Sequence, residues 1–485
     1  MPEASFLDRR AFLQAAGLAA GGLATLGVDR LLSGRVSDWS FAQTSRALVE
    51  SLSPLQRQNV MLPWGHASRG IVSHVACMSE APRVADLLTV EQQVLVHRLY
   101  ETMTSPEQRQ RFGRLVGLEA GGLDPCAIVL YGDPFERDGR DFQVSLSGGH
   151  LLIRGGGMTE AGSAFGGPLG YGHQLGDGVP QLPGNAFAYH GDALNGLVSA
   201  LPDEARARAL VAGAPLFETT VQLQGPGGVF AGLPVRTLGE GDREAVASLV
   251  DTVFSCYAET DREAAWGCLG RNGGVEALHL TVWSDVGLYD DGAEWRTLAA
   301  PERKRRGDPY WHVWRLEGPG AVLHFRGWPH VHASIHLADD GGARQHVGET
   351  IVEATRLYEA PVLRPMLQTA LAESVGETLG YIAGGVPARF VPGPVTLSTI
   401  WNLDPFDDEV GVMTIRGDAM AAPLRAAVES QGEAIDESRL YRVAMPGSFA
   451  GDAELFGEPE GVEATALRTR TAYELWIRRH GLSRV

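Results

Sequence analysis

Cysteine is scarce: Cys77, Cys126, Cys256 and Cys268 are the four in 485 residues, and no two form a Cys-x-x-Cys pair. That spacing argues against a zinc knuckle or a dithiol redox centre. Cys256 and Cys268 stand close enough for a disulfide in an oxidising compartment, and isolated buried thiols fit equally well. Basic residues are also in deficit, 41 against 59 acidic, giving a net charge of -18 with no basic stripe to relieve it. Such a chain repels a phosphate backbone, so nucleic acid is not an expected partner. No run is long and apolar enough to cross a membrane, so no stable span is expected in the mature chain. A Gly-x-x-x-x-Gly-Lys loop and a dinucleotide fingerprint are missing, and no Gly-x-Ser-x-Gly or Ser-x-x-Lys stands in a strand-turn-helix setting.

What remains has the composition of ordinary globular protein, 44% hydrophobic and 21% charged, and enough length for two or three cores. Residues 1–38 read as an address. Asp8-Arg9-Arg10-Ala11-Phe12-Leu13-Gln14 precedes an Ala/Gly-rich run from Ala15 to Val28 and resembles a twin-arginine export signal, although Asp8 and Gln14 depart from its outer positions. The resemblance implies the twin-arginine export machinery as a partner and a periplasmic or extracellular destination. That route suits a protein folded around a preloaded cofactor.

The 61 glycines, crowded between Gly148 and Gly228, indicate turns and long loops over a β-rich frame. Helical spacing predicts helices over 44–52 and 89–100, with Thr89 as N-cap, and another opened by Ser105-Pro106. Period-two alternation predicts strands at Ala127–Gly132 and Phe142–Ile153, followed by a Gly-rich loop to about Asn185. Strands at Glu276–Trp283, Tyr310–Pro319, Ala321–Arg326 and Trp328–Leu337 follow, the last three an antiparallel meander turned at Gly318-Pro319 and Gly327-Trp328-Pro329. Helices are expected over 349–356 and 363–379. The fold class is therefore α+β: an antiparallel sheet core with packed helices and Gly-rich loops (39–350), a helical connector (351–375) and a smaller α+β module (376–485).

The chemistry concentrates in one place. Six of the 14 histidines lie between His312 and His346. On an extended strand His330, His332, Ser334 and His336 share one face. Two imidazoles one residue apart converge on one ion, with His150 as the first choice of third ligand and His324 or His336 to complete the set. A thiolate-free site of this kind suits copper, zinc or iron. Trp311, Trp314, Phe325 and Trp328 are expected to wall the pocket, and Glu317 or Asp339 to act as general base or orient an imidazole. The expected function is a metal-dependent hydrolase or a copper or iron oxidoreductase acting on an unknown small molecule. The alternative is a non-enzymatic metal- or ligand-binding protein of the cell envelope. Asp404, Asp407 and Asp408 also cluster, and read as a solvated acidic turn.

Two resemblances accompany these readings. Tyr131-Gly132-Asp133-Pro134, Gly148-Gly149-His150-Leu151, Gly318-Pro319 and Pro329-His330-Val331-His332 resemble the marks of the domain of unknown function 3500 family, over residues 45–347. Gly149 stands where that family has its first histidine, and His324 where an acidic residue is commoner. The resemblance implies positions and no chemistry. From Gly380 to Gly451, Pro392-Gly393-Pro394-Val395-Thr396, Pro405-Phe406-Asp407, Gly417-Asp418 and Tyr441-Arg442-Val443-Ala444 resemble the C-terminal domain of 5'-nucleotidases. There, metals and attacking water belong to a separate N-terminal domain, whose Asp-x-His and Gly-Asn-His-Glu set this sequence lacks.

Overall fold

The computed structural model describes residues 39–73, 81–119, 122–156, 165–174, 186–212, 221–283, 311–327, 330–339, 346–382 and 386–482. The export segment, Cys77, Trp328 and Pro329 lie outside the described residues. The fold is α+β, in two compact units, and among the described residues the second unit comprises Ala67–Ile71 and everything from 346 onward. The expected connector 351–375 falls inside it.

The first unit opens with helices stapled at their starts. Ser40 and Gln43 cap α1 (Phe41–Ser51), Ser53 and Gln56 cap α2 (Pro54–Val60), and α3 is Val84–Leu87. Thr89 and Gln92 cap α4 (Val90–Met103), each box satisfying two orphan donors. Ser105 receives the Gln108 amide at 3.1 Å as α5 (Pro106–Glu119) begins. Further on come α6 (Ala188–Ala200), α7 (Asp203–Ala209), α8 (Glu240–Phe254) and α9 (Glu259–Arg271).

Among the described residues these helices accompany an eleven-stranded sheet. Its central strands are β2 (Ala127–Gly132), β3 (Phe142–Gly148), β4 (Leu151–Gly156), β5 (Leu169–Gln174), β8 (His279–Trp283), β9 (Val313–Gly318), β10 (Ala321–Arg326) and β11 (His330–Leu337). They run spatially β2-β3-β4-β5-β11-β10-β9-β8, antiparallel throughout. Short strands β1 (Met61–Leu62), β6 (Leu210–Val211) and β7 (Leu233–Pro234) border them.

The meander β9-β10-β11 is as the alternation predicts. β5 is a correction, because the expected loop to Asn185 contains the strand that bridges the two halves of the sheet. Its Gly170-Tyr171-Gly172-His173 offers alternation without an apolar pattern on both faces.

The two sheet faces differ in chemistry. Ile128, Val144, Ile153, Tyr171, Val331, Ile335, Leu323, Phe325, Trp314 and Leu316 join one core with Leu99, Leu194 and Val250 of the helices. Each such side chain contributes about 1.5–3 kcal/mol on burial. A one-residue slip would exchange these for the polar face, so the register is strongly specified. Trp311, Trp314 and Phe325 belong to this core and wall no pocket with the histidines, a correction to the expected aromatic wall. Cys126, Cys256 and Cys268 are separate buried thiols, so the disulfide alternative does not hold.

In the second unit, β12 (Thr350–Ala354) pairs antiparallel with β14 (Gly393–Thr396), so the expected helix over 349–356 is a strand. Its β-branched Thr350, Ile351 and Val352 favour extension once a partner exists. Strands β13 (Leu379–Gly380), β16 (Leu440–Pro446), β15 (Glu409–Arg416) and β17 (Gly461–Arg468) form a four-stranded sheet in that order. Helices α10 (Ala360–Ser374), α11 (Leu397–Trp401), α12 (Ala422–Ser430), α13 (Ala453–Phe456) and α14 (Thr469–His480) complete the unit.

The acidic turn before β15 is structural. Asp404 accepts from the Thr469 hydroxyl and, at 3.1 Å, from the Phe406 amide, while the buried Arg470 donates to the Asp404 carbonyl at 2.9 Å and the Pro405 carbonyl at 2.8 Å. The turn thus fixes the start of α14. Burial, the largest influence, raises the Asp404 pKa above the usual carboxylate value, so it is less solvated than its sequence suggests.

Candidate functional site

The second face of the large sheet is polar and buried. One cross-strand row runs Ser147, Leu152, Gly170, Ser334, His324, Arg315, Thr281, each directly opposite the next. A neighbouring row runs Gly172, His332, Arg326, Val313. His150 sits beside that row in the β3-β4 turn, its carbonyl accepting the Gly172 amide at 3.1 Å.

This arrangement brings two of the expected ligands together. The His150 and His332 rings lie 5.4 Å apart between centroids, tilted by 44°. His150 lies in the β3-β4 turn and His332 on β11, on either side of β5, and the intervening position is Gly172. A Cβ at Gly172 would fall 2.9 Å from His332 Cδ2 and 1.8 Å from the Val331 carbonyl oxygen, so only glycine leaves room for the ring contact. The gap continues at Gly170, making β5 a floor without side chains between His150 and Leu152 on one side and His332 and Ser334 on the other. His150 and Ser334 are half-buried, so solvent reaches the face there.

The other expected site residues separate. His336 is four residues from His332, about 13 Å along a strand. Its Nδ1 lies 2.8 Å from the Val221 carbonyl, so that nitrogen carries the proton and donates. His324 faces Ser334, diagonal to His332, with its ring edge-on to Trp283 at 5.8 Å. The His330 backbone opens β11 opposite Gln174, and its side chain lies outside the described ones.

Glu317 is buried but bound elsewhere, accepting from Arg315 at 3.3 Å and from Gln224 Nε2 at 3.0 Å. By strand spacing it stands roughly 15 Å from the imidazole pair. Asp339 follows β11 on the surface and pairs with Arg271 at 2.7 Å, so it is no general base for this site. Among the described residues no group of three or more His, Cys, Asp or Glu side chains converges as a metal site.

What motif reading overlooked is the arginines. Arg154, Arg315 and Arg326 share the polar face, each no more than 6% exposed. Arg154 Nε donates to Ser145 Oγ at 3.3 Å, and Arg315 lies over the Trp283 ring at 5.7 Å. The signal was available: Arg315 and Arg326 occupy the same alternate positions as the histidines.

No family model matches the chain. No curated protein matches it. Among solved structures, a 5'-nucleotidase precursor from Thermus thermophilus is similar at 13% identity and a TM-score of 0.25, over 36% of this chain and 50% of that one. A candidate 5'-nucleotidase from Staphylococcus aureus is similar at 13% identity and a TM-score of 0.22, over 36% of this chain and 49% of that one. The chain thus spans about half the length of each.

Proposed function

We propose that the polar face of the large sheet is a small-molecule site with the His150–His332 pair at its centre, and that the pair holds a transition metal ion, copper, zinc or iron, in a hydrolase. The ring spacing carries the reading. Two imidazoles bound to one tetrahedral ion through nitrogens at about 2.0–2.1 Å hold their centroids roughly 5 Å apart, which the observed 5.4 Å matches. When bound, such an ion supplies Lewis acidity to a substrate oxygen and to water. The chain's own part is to hold the rings across Gly172 and keep bulk solvent to the Ser334 side. Two protein ligands leave positions for substrate and water.

A second reading is a non-enzymatic metal- or ligand-binding protein. It is favoured by the capture of Glu317 in an ion pair with Arg315, which engages the buried carboxylate expected to serve as general base. The export reading of residues 1–38 accompanies both. Elemental analysis of the purified protein and of a His150→Ala/His332→Ala variant tests the proposal. Near-stoichiometric metal in the former and none in the latter is the expected result. A metal-free parent, or a variant that keeps its metal, overturns it. Metal without turnover of an ester panel selects the second reading.

A further inference from the structure

One histidine of the polar face stands apart from the His150–His332 pair. His279 opens β8 with Glu317 of β9 directly opposite. The residue is partly exposed, yet both its ring nitrogens are shut off from solvent, and among the described residues neither has a hydrogen-bond partner. Covering an imidazole in this way forfeits its hydrogen bonds to water without replacing them.

Residues 221–231 lie over this end of the face. Val221 and Leu223 pack with Val322 and Ala338, the Val221 carbonyl accepts from His336, and the Gly225 amide donates to the Pro319 carbonyl at 3.1 Å. The tip, Gly225 to Ala231, then runs beside β8. Phe230 lies against the His279 ring with centroids 5.3 Å apart, and the Ala231 carbonyl accepts from the Thr281 hydroxyl at 2.9 Å. Gln224 ties the tip to the sheet. Its Nε2 donates to the Val229 carbonyl at 2.9 Å and to Glu317 Oε1 at 3.0 Å, and its Oε1 accepts from the Val229 amide at 3.1 Å. Glycines in left-handed backbone bound the tip, Gly225 at φ 71° and Gly232 at φ 82°, and Val229 between them is 77% exposed. These are hinge positions around a segment that nothing packs over.

The tip carries no charge of its own. Glu317 acts on His279 from β9 and Arg236 from Val235–Thr237, while Glu276, three residues before His279, is paired with Arg243 at 3.4 Å. Burial, the largest influence, and then Arg236 hold the imidazole pKa below 6.5, against the upward pull of Glu317. The covered ring is harder to protonate than the same ring in water, so by linkage the uncovered form binds more protons.

We infer that residues 225–231 form an acid-released cap over His279, closed while the imidazole is neutral and opened about Gly225 and Gly232 when it takes a proton. Closure is fully favoured well above pH 6.5 and weakens as pH falls below it. Opening admits solvent to the Glu317 end of the polar face. The inference rests on His279 and the cap alone and does not need the metal.

Hydrogen exchange of the full-length protein after chelation, corrected for intrinsic rates, tests it at about pH 8 and about pH 5.5. The Gly225, Gly228 and Val229 amides are bonded in the closed cap. The peptide carrying them is expected to lose protection by up to about tenfold at the lower pH, the limit for an imidazole that titrates freely once uncovered. His279→Phe keeps a ring but cannot titrate, and the loss is expected to disappear, while the central strands respond to pH alike in both proteins. His279→Gln serves the same purpose should that variant not fold. Gln224→Ala unties the tip and is expected to lower its protection at both pH values. Equal cap protection at both pH values in the parent, the same loss in a non-titrating variant, or full protection in Gln224→Ala overturns the inference. Because no metal is present, the outcome is separate from that of the elemental analysis.

Discussion

His190 shows how one side chain ties the first unit to pH. It is fully buried behind β5, its Nε2 2.7 Å from the Tyr171 hydroxyl, and packs against Tyr189 and Phe325. Burial, with Arg111 adding to it, pushes its pKa from 6.5 down to about 3, and burial alone lowers His312 to about 4. Both rings are neutral in the folded chain, and the unfolded chain binds more protons at mildly acid pH. Their stabilising contribution is complete above about pH 6.5 and is lost progressively as pH falls to about 3. Stability across that window is expected to fall by an amount on the order of a few kcal/mol for His190, read as a falling melting temperature. His190→Phe should flatten the profile at the acid end, and an unchanged slope would contradict the assignment. The same residue scale explains the misplaced acids: Glu317 and Asp339 were legible as carboxylates near histidines, and Arg315, two residues from Glu317 on the same strand face, was a legible partner, whereas the Arg271–Asp339 pair spans 68 residues and leaves no local trace.

Among elements, β5 decides the site. Its glycines allow His150 and His332 to meet, and they also hide the strand from pattern reading, since Gly-Tyr-Gly-His carries turn composition in extended backbone. The meander, by contrast, was readable from alternation and its Gly-Pro turn, as was the shared face of His332 and His336. Alternation could not tell that a strand from about 160 residues away would lie against β11. Gly172→Ala is therefore expected to cost about 1–3 kcal/mol, the scale of an overpacked core position, and to abolish any metal uptake by parting β5 from β11. Urea unfolding with parallel metal analysis reads both effects, and a variant equal to the parent in each would refute the role given to Gly172. The strand β12 was missed for a related reason, because its charged flanks resemble a short helix until β14 pairs with it.

At the scale of the whole molecule, the net charge of -18 and the paired arginines near the start bear on where the protein works. If the export reading holds, Arg9→Lys/Arg10→Lys should leave the full-length chain in the cytoplasmic fraction while its thermal stability is unchanged; equal export of the variant would remove that reading. Among the described residues, no helix is long and apolar enough to cross a membrane. Residues 351–375, expected as a connector, fall inside the second compact unit, because their elements are completed by partners distant in sequence.

One such dependence reaches further. The Gly70 carbonyl accepts the buried Asn402 amide at 2.8 Å, and Ala67–Ile71 belongs to the second unit although it stands far back in the chain from the residues after 345. A cassette cut near residue 345 and spliced behind another partner would leave that piece behind. The tail is thus not freely exchangeable by recombination: a functional transplant must carry a fragment from the far end of the gene, and descent with the first unit intact is the simpler inheritance.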